Sequence, residues 1–454
     1  MGNINDAKAK YLEMVLTKKS QTEQIKYVTG WLNRTYHFKF VEGNTGKTDQ
    51  LYVYDGGVYI DARRFIINVI EEITDTTKTG FVNEIINKVG RKDSMKREEF
   101  IRVEHPELVC MENGILNLET KTLKKHSPDI IFETKIPVIY NKGIGCPLFI
   151  EFIEDTLSKT DILGLQEWMG FMLWRRYFKK KAIVLMGPTD TGKTVLLNVM
   201  MNMVGAVNKT SFDFHKLTSN NFATSNLYGK SLAVNDELSS KGLDDVSTFK
   251  KLTGDSSLMS EKKFQDSFDF FNYAKITCAC NKMPVPEGTL EDPRSYFNRW
   301  LILKFDFIVD VKNQDNDLVS KLCTKDGLSG LLNWSIKGLD RLRKNNVFSN
   351  DMDWSVIRSF MEEHADSVVS FIKKRVVREN GNVMSKHECY EAYVSFCNMY
   401  DLKCKTAKAF GKIFRNHCAY VVDYGTGKMQ ICNAKITEIS TKEFLDEIEE
   451  FDRK

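Results

Sequence analysis

Residues 182–194 read Ala182-Ile183-Val184-Leu185-Met186-Gly187-Pro188-Thr189-Asp190-Thr191-Gly192-Lys193-Thr194. The apolar run Ala182–Met186 is short and bounded by a turn signal, which predicts a buried strand. Gly187 to Thr194 then fit the P-loop pattern G-x-x-x-x-G-K-[ST] without a mismatch, and Val195–Val204 has helical spacing. Between a strand and a helix, the glycines turn the backbone so that its N–H groups converge on phosphate oxygens. The positive end of the following helix adds to that field. Gly187, Pro188, Thr189, Asp190, Thr191, Gly192, Lys193 and Thr194 are therefore expected to bind the phosphates of ATP. Lys193 would reach the β- and γ-phosphates, and the Thr194 hydroxyl would hold Mg2+. The similar Gly425-Thr426-Gly427-Lys428 is too short and lies between two strand-like runs, so it reads as a hairpin turn.

Working outward, three further strands are predicted at Ser231–Asn235, Ala274–Cys280 and Trp300–Phe305, alternating with helical segments. That alternation predicts an α/β layer with a mostly parallel sheet. Asp236 and Glu237 follow the second strand, where an acidic pair beside a phosphate loop can serve Mg2+ (Asp236) and the attacking water (Glu237). Asn281 ends the third, as a polar amide able to contact the γ-phosphate or the water; its plainer reading is a turn residue before Lys282-Met283-Pro284. Arg299 opens the fourth, and at an interface between subunits its guanidinium could stabilise charge on a neighbour's nucleotide. Cys278 and Cys280, one residue apart in an apolar run, are expected to face one side of a strand as small hydrophobes rather than to bind metal.

At 454 residues the chain exceeds a single hydrophobic core, so two or three domains are expected. The expected limits are an α+β amino-terminal module over 1–147, a central ATPase over 148–350 and a helical, basic, winged-helix-like region over 351–454 with an acidic tail. In the first region Ala7–Thr35 reads as helical, Leu51–Tyr54 and Val58–Ile60 as a hairpin about Asp55-Gly56-Gly57, and Ala62–Val89 as helical again. Leu108–Leu118 and Ile130–Ile139 read as β, and Cys146-Pro147 as a junction. Helical spacing returns over Leu148–Phe178, and the last region ends in strand-like runs at Tyr420–Asp423 and Met429–Asn433. With 42% hydrophobic and 28% charged residues, the composition is that of an ordinary globular protein, and no stretch approaches the roughly 20 apolar residues of a membrane span. Neither signal peptide nor anchor is apparent in Met1–Ser20, and the scattered cysteines suit a reducing compartment, so a cytoplasmic location is expected. The net charge of +4 says little about nucleic acid; the local clusters at Arg175–Lys181, Lys262-Lys263 and Lys373–Lys412 matter more.

The order of these pieces resembles the superfamily 3 helicases, particularly the phage and plasmid primase-associated branch. Besides the P-loop and Asp236-Glu237, the resemblance rests on Leu227-Tyr228-Gly229-Lys230, on Phe249-Lys250-Lys251-Leu252-Thr253-Gly254-Asp255, and on Lys262-Lys263-Phe264. It also includes the strand ending in Asn281 and Phe297-Asn298-Arg299-Trp300. Asp55-Gly56-Gly57 and Met111–Leu118 resemble that branch's amino-terminal module. The resemblance implies an AAA+ core assembled as a homo-hexamer around DNA, with ATP sites between subunits and 3′-to-5′ movement. It places Lys262 or Lys263 on a hairpin projecting into the channel, where a lysine grips phosphates regardless of sequence. A solvated lysine pair on a turn is the alternative. Many relatives carry two adjacent arginines near the finger, whereas here Asn298 precedes Arg299 and Arg294 lies farther back. The region before Leu148 lacks a clear catalytic carboxylate cluster, so a separate primase or polymerase is expected.

Two classes compete. One is a replicative DNA helicase and initiator of a phage, plasmid or integrated element, whose carboxyl-terminal region contacts origin DNA. The other is a DNA-independent AAA+ remodelling or regulatory ATPase, which needs no lysine hairpin.

Overall fold

The computed structural model describes residues 3–43, 48–76, 78–91, 93–214, 217, 224–239, 246–254, 256–260, 267–281, 283, 292–307, 314–400, 402–418, 422–424 and 430–437. The chain is a mixed α/β protein with several hydrophobic clusters and one parallel sheet. It opens with α1 (Ile4–Leu16) and α2 (Gln21–Thr35), where one helical stretch was expected. Lys18 takes φ +54°, and Ser20 and Glu23 form a reciprocal capping box that starts the second helix. Strands β1 (Phe38–Glu42), β2 (Gln50–Asp55) and β3 (Val58–Asp61) follow, then α3 (Ala62–Thr74), α4 (Thr79–Lys88), β4 (Ser94–Lys96) and the short α5 (Arg97–Phe100). The sheet order is β3-β2-β1-β4. The expected hairpin forms, but Asp55 is itself paired with Val58, so the turn is Gly56-Gly57 alone, both with positive φ, one residue tighter than the expected Asp55-Gly56-Gly57. Ile25, Val28, Leu32, Ile66, Ile70 and Ile85 form this module's core.

A meander of β5 (Leu108–Met111), β6 (Gly114–Asn117) and β7 (Leu123–Lys124) comes next. Residues 130–139, expected as a strand, contribute only the bridge Met111–Ile136; Pro137 there has no N–H to donate to a ladder. Val109, Met111, Leu116, Ile136, Val138 and Cys146 are buried with α6 (Pro147–Glu154) and α7 (Lys159–Leu173) in the central cluster. Packing therefore continues across Cys146-Pro147, while the other face of the meander buries Cys110 and Ile115 against Phe132.

The central sheet comprises β8 (Ala182–Met186), β9 (Lys209–Ser211), β10 (Leu232–Asn235), β13 (Lys275–Cys280) and β14 (Trp300–Lys304) in the order β14-β8-β13-β10-β9, every pairing parallel. Both faces are covered, as a parallel sheet requires. Ile183, Leu185, Val234, Leu301 and Leu303 face α7, α8 (Lys193–Val204) and the long helix at 325–345. Val184, Ile276, Cys278, Cys280 and Ile302 face the other way, against Phe249 of α9 (Val246–Leu252) and Tyr296 of α10 (Pro293–Phe297). Cys278 and Cys280 thus share one buried face, and burial pushes the Cys280 thiol up to about 12. Between α9 and β13 stands an antiparallel hairpin, β11 (Ser257–Ser260) and β12 (Phe268–Phe271).

After β14 come α11 (Leu318–Leu322), α12 (Lys325–Asn345) and α13 (Trp354–Ala365). Two glycines let α12 lie on α7: a Cβ on Gly170 would stand 2.3 Å from Ser335 O, and one on Gly338 2.1 Å from Gln166 O. Glu167, fully buried in that crossing, accepts from Arg341 Nε, Ser349 N and Ser349 Oγ, each at 2.6 Å. Ile357 and Met361 of α13 are buried in the central body. The remainder runs α14 (Ser367–Arg375), β15 (Val376–Ser385), α15 (Lys386–Met399), α16 (Ala407–His417), β16 (Val422–Tyr424) and β17 (Gln430–Ile436), with sheet order β15-β17-β16. Phe371, Tyr393, Phe396, Phe410 and Phe414 form its core. Among the described residues no helix is long and apolar enough to cross a membrane.

Candidate phosphate site

The loop after β8 is anchored before it turns. Gly187 N donates to Cys280 O at 3.3 Å, and a Cβ on Gly187 would lie 2.0 Å from Phe305 O, so only glycine fits between the neighbouring strand ends. Asp190 at φ +62° and Gly192 at φ +87° swing the chain into α8, whose first residue is Lys193. Lys193 is largely buried, and its Nζ donates to Gly187 O at 2.8 Å, to Thr191 Oγ1 at 3.2 Å and to Pro188 O. Burial lowers its pKa below the usual lysine value. The ammonium is thus held inside the loop, while Thr194 is exposed in the first turn of α8.

Register fixes what lies beside this loop. Cys280 pairs with Met186 and Asn235 with Cys278, so the carboxyl ends of β8, β13 and β10 stand side by side. With neighbouring strands about 4.8 Å apart, Asn281 leaves the sheet between Gly187 and the acidic pair. Asp236 and Glu237 are exposed, and Leu238 N donates to Ala279 O at 2.8 Å, which ties the segment after them back to β13. The fold therefore gathers the P-loop, Asn281, Asp236 and Glu237 at one edge. Chemically, that edge offers backbone donors and an ammonium to an anion, and free carboxylates to a hard cation or a water.

Asn281 also lines a cleft of about 460 Å³ with Lys374, Tyr400, Lys403 and Lys405. No local motif marks those residues, since they reach the sheet through the packing of α13 and α14.

Arg299 stands at the opposite end of the sheet, where its carbonyl accepts from Ala182 N at 2.6 Å. Its side chain is half-buried, with Nη1 donating to Ser295 O at 3.1 Å, and burial lowers its pKa. Arg294, on α10, is exposed. Lys262 and Lys263 lie outside the described residues, within the connection that joins the paired strands β11 and β12.

The sequence reasoning missed Lys275 at the foot of β13. It is fully buried and donates to Trp174 O at 2.9 Å, Arg176 O at 3.2 Å and Tyr273 O at 2.7 Å. Three acceptors match the three N–H bonds of an ammonium, although burial pulls its pKa well down. A lysine inside a strand carries no sign of such a role in the sequence.

Comparison with known proteins gives partial matches. Residues 13–158 match a family described as D5 N terminal like, and residues 185–299 match DUF5906, a family of unknown function. The chain is similar to the uncharacterized mitochondrial protein ymf21 of Marchantia polymorpha, 26% identical over 117 residues, which is 22% of this chain and 64% of that protein. Among solved structures, it is similar to the apo structure of the NrS-1 C terminal region (12% identity, TM-score 0.44, covering 89% of this chain and 98% of that one). The A form apo structure of the same region gives 11% identity and TM-score 0.44, covering 90% and 98%.

Proposed function

We propose that the protein is an ATP-driven DNA helicase that serves replication of a phage, plasmid or other mobile element, working as a ring of identical subunits. The observation that carries this reading is the convergence of the P-loop, Asn281 and the Asp236-Glu237 pair at adjacent strand ends. The D5-type match over 13–158 supports the replication setting, because that domain type belongs to phage and plasmid primase-helicases. Proposed domains follow the hydrophobic clusters: an amino-terminal module to about residue 103, a central ATPase to about 365 and a carboxyl-terminal domain beyond.

In this reading an incoming triphosphate takes the donors of the loop, and Lys193 exchanges its carbonyl partners for β- and γ-phosphate oxygens. Thr194 and Asp236 fit Mg2+, since both present exposed oxygen donors at the same edge of the sheet to a cation that prefers oxygen and retains water. Bound there, the ion would neutralise phosphate charge. Glu237 accepts the proton of the attacking water, and Asn281 orients that water or the γ-phosphate. Lys262 and Lys263 grip the DNA backbone from the β11–β12 connection.

The carboxyl-terminal order helix, strand, helix, helix, strand, strand supports a winged helix. Its helix α16 buries Phe410 and Phe414 while exposing Lys408, Lys412 and Arg415 at i, i+4 and i+7, a face suited to phosphates.

Unwinding of a forked DNA with ATP and Mg2+ tests the reading, run beside Lys193→Ala and a Lys262→Ala/Lys263→Ala double variant. Strand displacement by the native protein alone is expected. DNA-independent ATP hydrolysis with no displacement would instead establish a remodelling ATPase.

A further inference from the structure

The hairpin β11–β12 is held at its neck by the amino-terminal module. Phe268 pairs with Ser260, the last pair before the connection carrying Lys262 and Lys263. Over the Phe268 ring, 4.5 Å from its centroid, sits the guanidinium of Arg97, the first residue of α5. Arg97 Nη2 donates to Gln50 Oε1 at 3.1 Å, and Tyr52 OH donates to the same oxygen at 2.9 Å. Tyr52 in turn stacks on Phe100 at 4.4 Å, so the guanidinium is fixed to the module's sheet and not only to its own helix.

A second contact runs parallel to the first. Ile101 packs against Val41, Tyr59 and Phe100 of the module and also against the cluster containing Leu258, Phe268 and Phe270. On the other flank, the Tyr228 ring meets Phe268 edge-on at 5.2 Å and Phe270 at 5.5 Å, while its hydroxyl donates to Glu133. Beside these contacts lies a cleft of about 550 Å³, bordered by Arg102, Ile131, Phe271 and Tyr273. Phe100, Ile101, Tyr228 and Phe270 line the same cleft, so open space adjoins the contacts that hold the hairpin.

We propose that Arg97 is a positioning residue for the hairpin: by holding Phe268 it makes the amino-terminal module and the β11–β12 strands move as one body. This rests on the helicase reading for its consequence, because a hairpin that slips relative to its subunit cannot pass the force of hydrolysis to DNA. Its structural half rests only on the contacts above. A cation–π contact of this kind is strongest when partly desolvated, as here, and Arg97 Nε has no hydrogen-bond partner among the described residues, which leaves the ring and Gln50 as its commitments.

The test uses the full chain with Arg97→Ala, Arg97→Lys and Arg102→Ala, the last removing an exposed arginine of the same segment that makes no cation–π contact among the described residues. Two measurements are made: amide hydrogen exchange over 257–260 and 268–271, and DNA strands displaced per ATP hydrolysed. In Arg97→Ala, exchange is expected to rise about three- to tenfold, the change that a loss of this interaction supports. Displacement per ATP should fall while hydrolysis without DNA is unchanged. Arg97→Lys should recover much of both, and Arg102→Ala should match the native protein. Unchanged exchange in Arg97→Ala overturns the inference, and so does faster exchange with undiminished displacement per ATP. A native protein that displaces no strand overturns the proposed function and the force-transmitting half of the inference, whereas the exchange result alone decides whether Arg97 holds the hairpin to the amino-terminal module.

Discussion

Replacing Gly338 by alanine should loosen the helical layer behind the parallel sheet. The added Cβ would stand 2.1 Å from Gln166 O, 2.3 Å from Gln166 C and 2.6 Å from Glu167 N, all backbone atoms of α7 that no rotamer change can move. Relief to ordinary contact requires α7 and α12 to separate by more than about 1 Å. A gap of that size forfeits roughly a quarter to a half of the dispersion attraction across the interface. It also stretches the Glu167–Arg341 and Gln166–Trp334 contacts, now 2.6 and 3.0 Å. Overpacking of a tight site costs about 1–3 kcal/mol, and backbone collision puts this one at the upper end. For a body of this size about 3 kcal/mol corresponds to a fall of roughly 6–12 °C in melting temperature. Gly411→Ala is the control: a Cβ there meets nothing within 4 Å inside α16, so the helix should gain about 0.5–1 kcal/mol. The buried Trp168 reports the transition through its fluorescence. Gly338→Ala melting within about 1 °C of the native protein would refute the close crossing of the two helices.

Glu167→Ala should cost about 3–5 kcal/mol, because it leaves Arg341 and the Ser349 N–H without their buried carboxylate; Glu167→Gln should cost less, as judged from denaturant midpoints. ATP affinity should weaken in alkaline solution earlier than an ordinary lysine, with its value of 10.5, would allow. On the proposed reading only protonated Lys193 would attract phosphate, and its pKa is lowered by burial, so affinity should be full below that lowered value and fall as pH rises through it. Calorimetric titration of ATP across this range checks the direction, and Lys193→Arg, always charged, should flatten the pH dependence whatever its absolute affinity.

The P-loop strand was legible to the residue, Ala182–Met186, because its motif, its flanking strand and its flanking helix are all local in sequence. The break between α1 and α2 was missed, since Thr17-Lys18-Lys19-Ser20 contains no glycine or proline; its signal was Ser20 followed three residues later by Glu23. Strand β15 was missed for the opposite reason. Asn380-Gly381-Asn382 reads as a breaker, yet the strand survives it by shifting register on β17 between Arg378 and Val383. β9 has three residues, too few to show alternation, and owes its place to pairing with β10. Of the candidate site, the sequence could propose residues but not their placement, because parallel pairing alone brings Asn281 beside Gly187. The Glu167 network could not be read at all: its partners lie 174 and 182 residues away.

Direction in the sheet also bears on assembly. All five strands are parallel, so the phosphate loop, the acidic pair and Asn281 share one end, and Arg299 lies at the other, beside Ala182. The five residues of β8 between those ends span about 16 Å, more than twice the reach of an arginine side chain. On the proposed reading Arg299 cannot therefore assist hydrolysis on its own chain's nucleotide by this route. A finger role for Arg299 demands a second copy, so for that residue the proposal of a catalytic arginine and the proposal of a ring are one proposal. Between the two residues the geometry is uneven: Arg299 is half-buried and bonded to Ser295 O, whereas Arg294 is exposed and can reach outward without breaking a contact of that kind. If Arg299 is the finger, docking of the neighbour must draw it away from Ser295, and the cost of that step would make ATP hydrolysis sensitive to assembly.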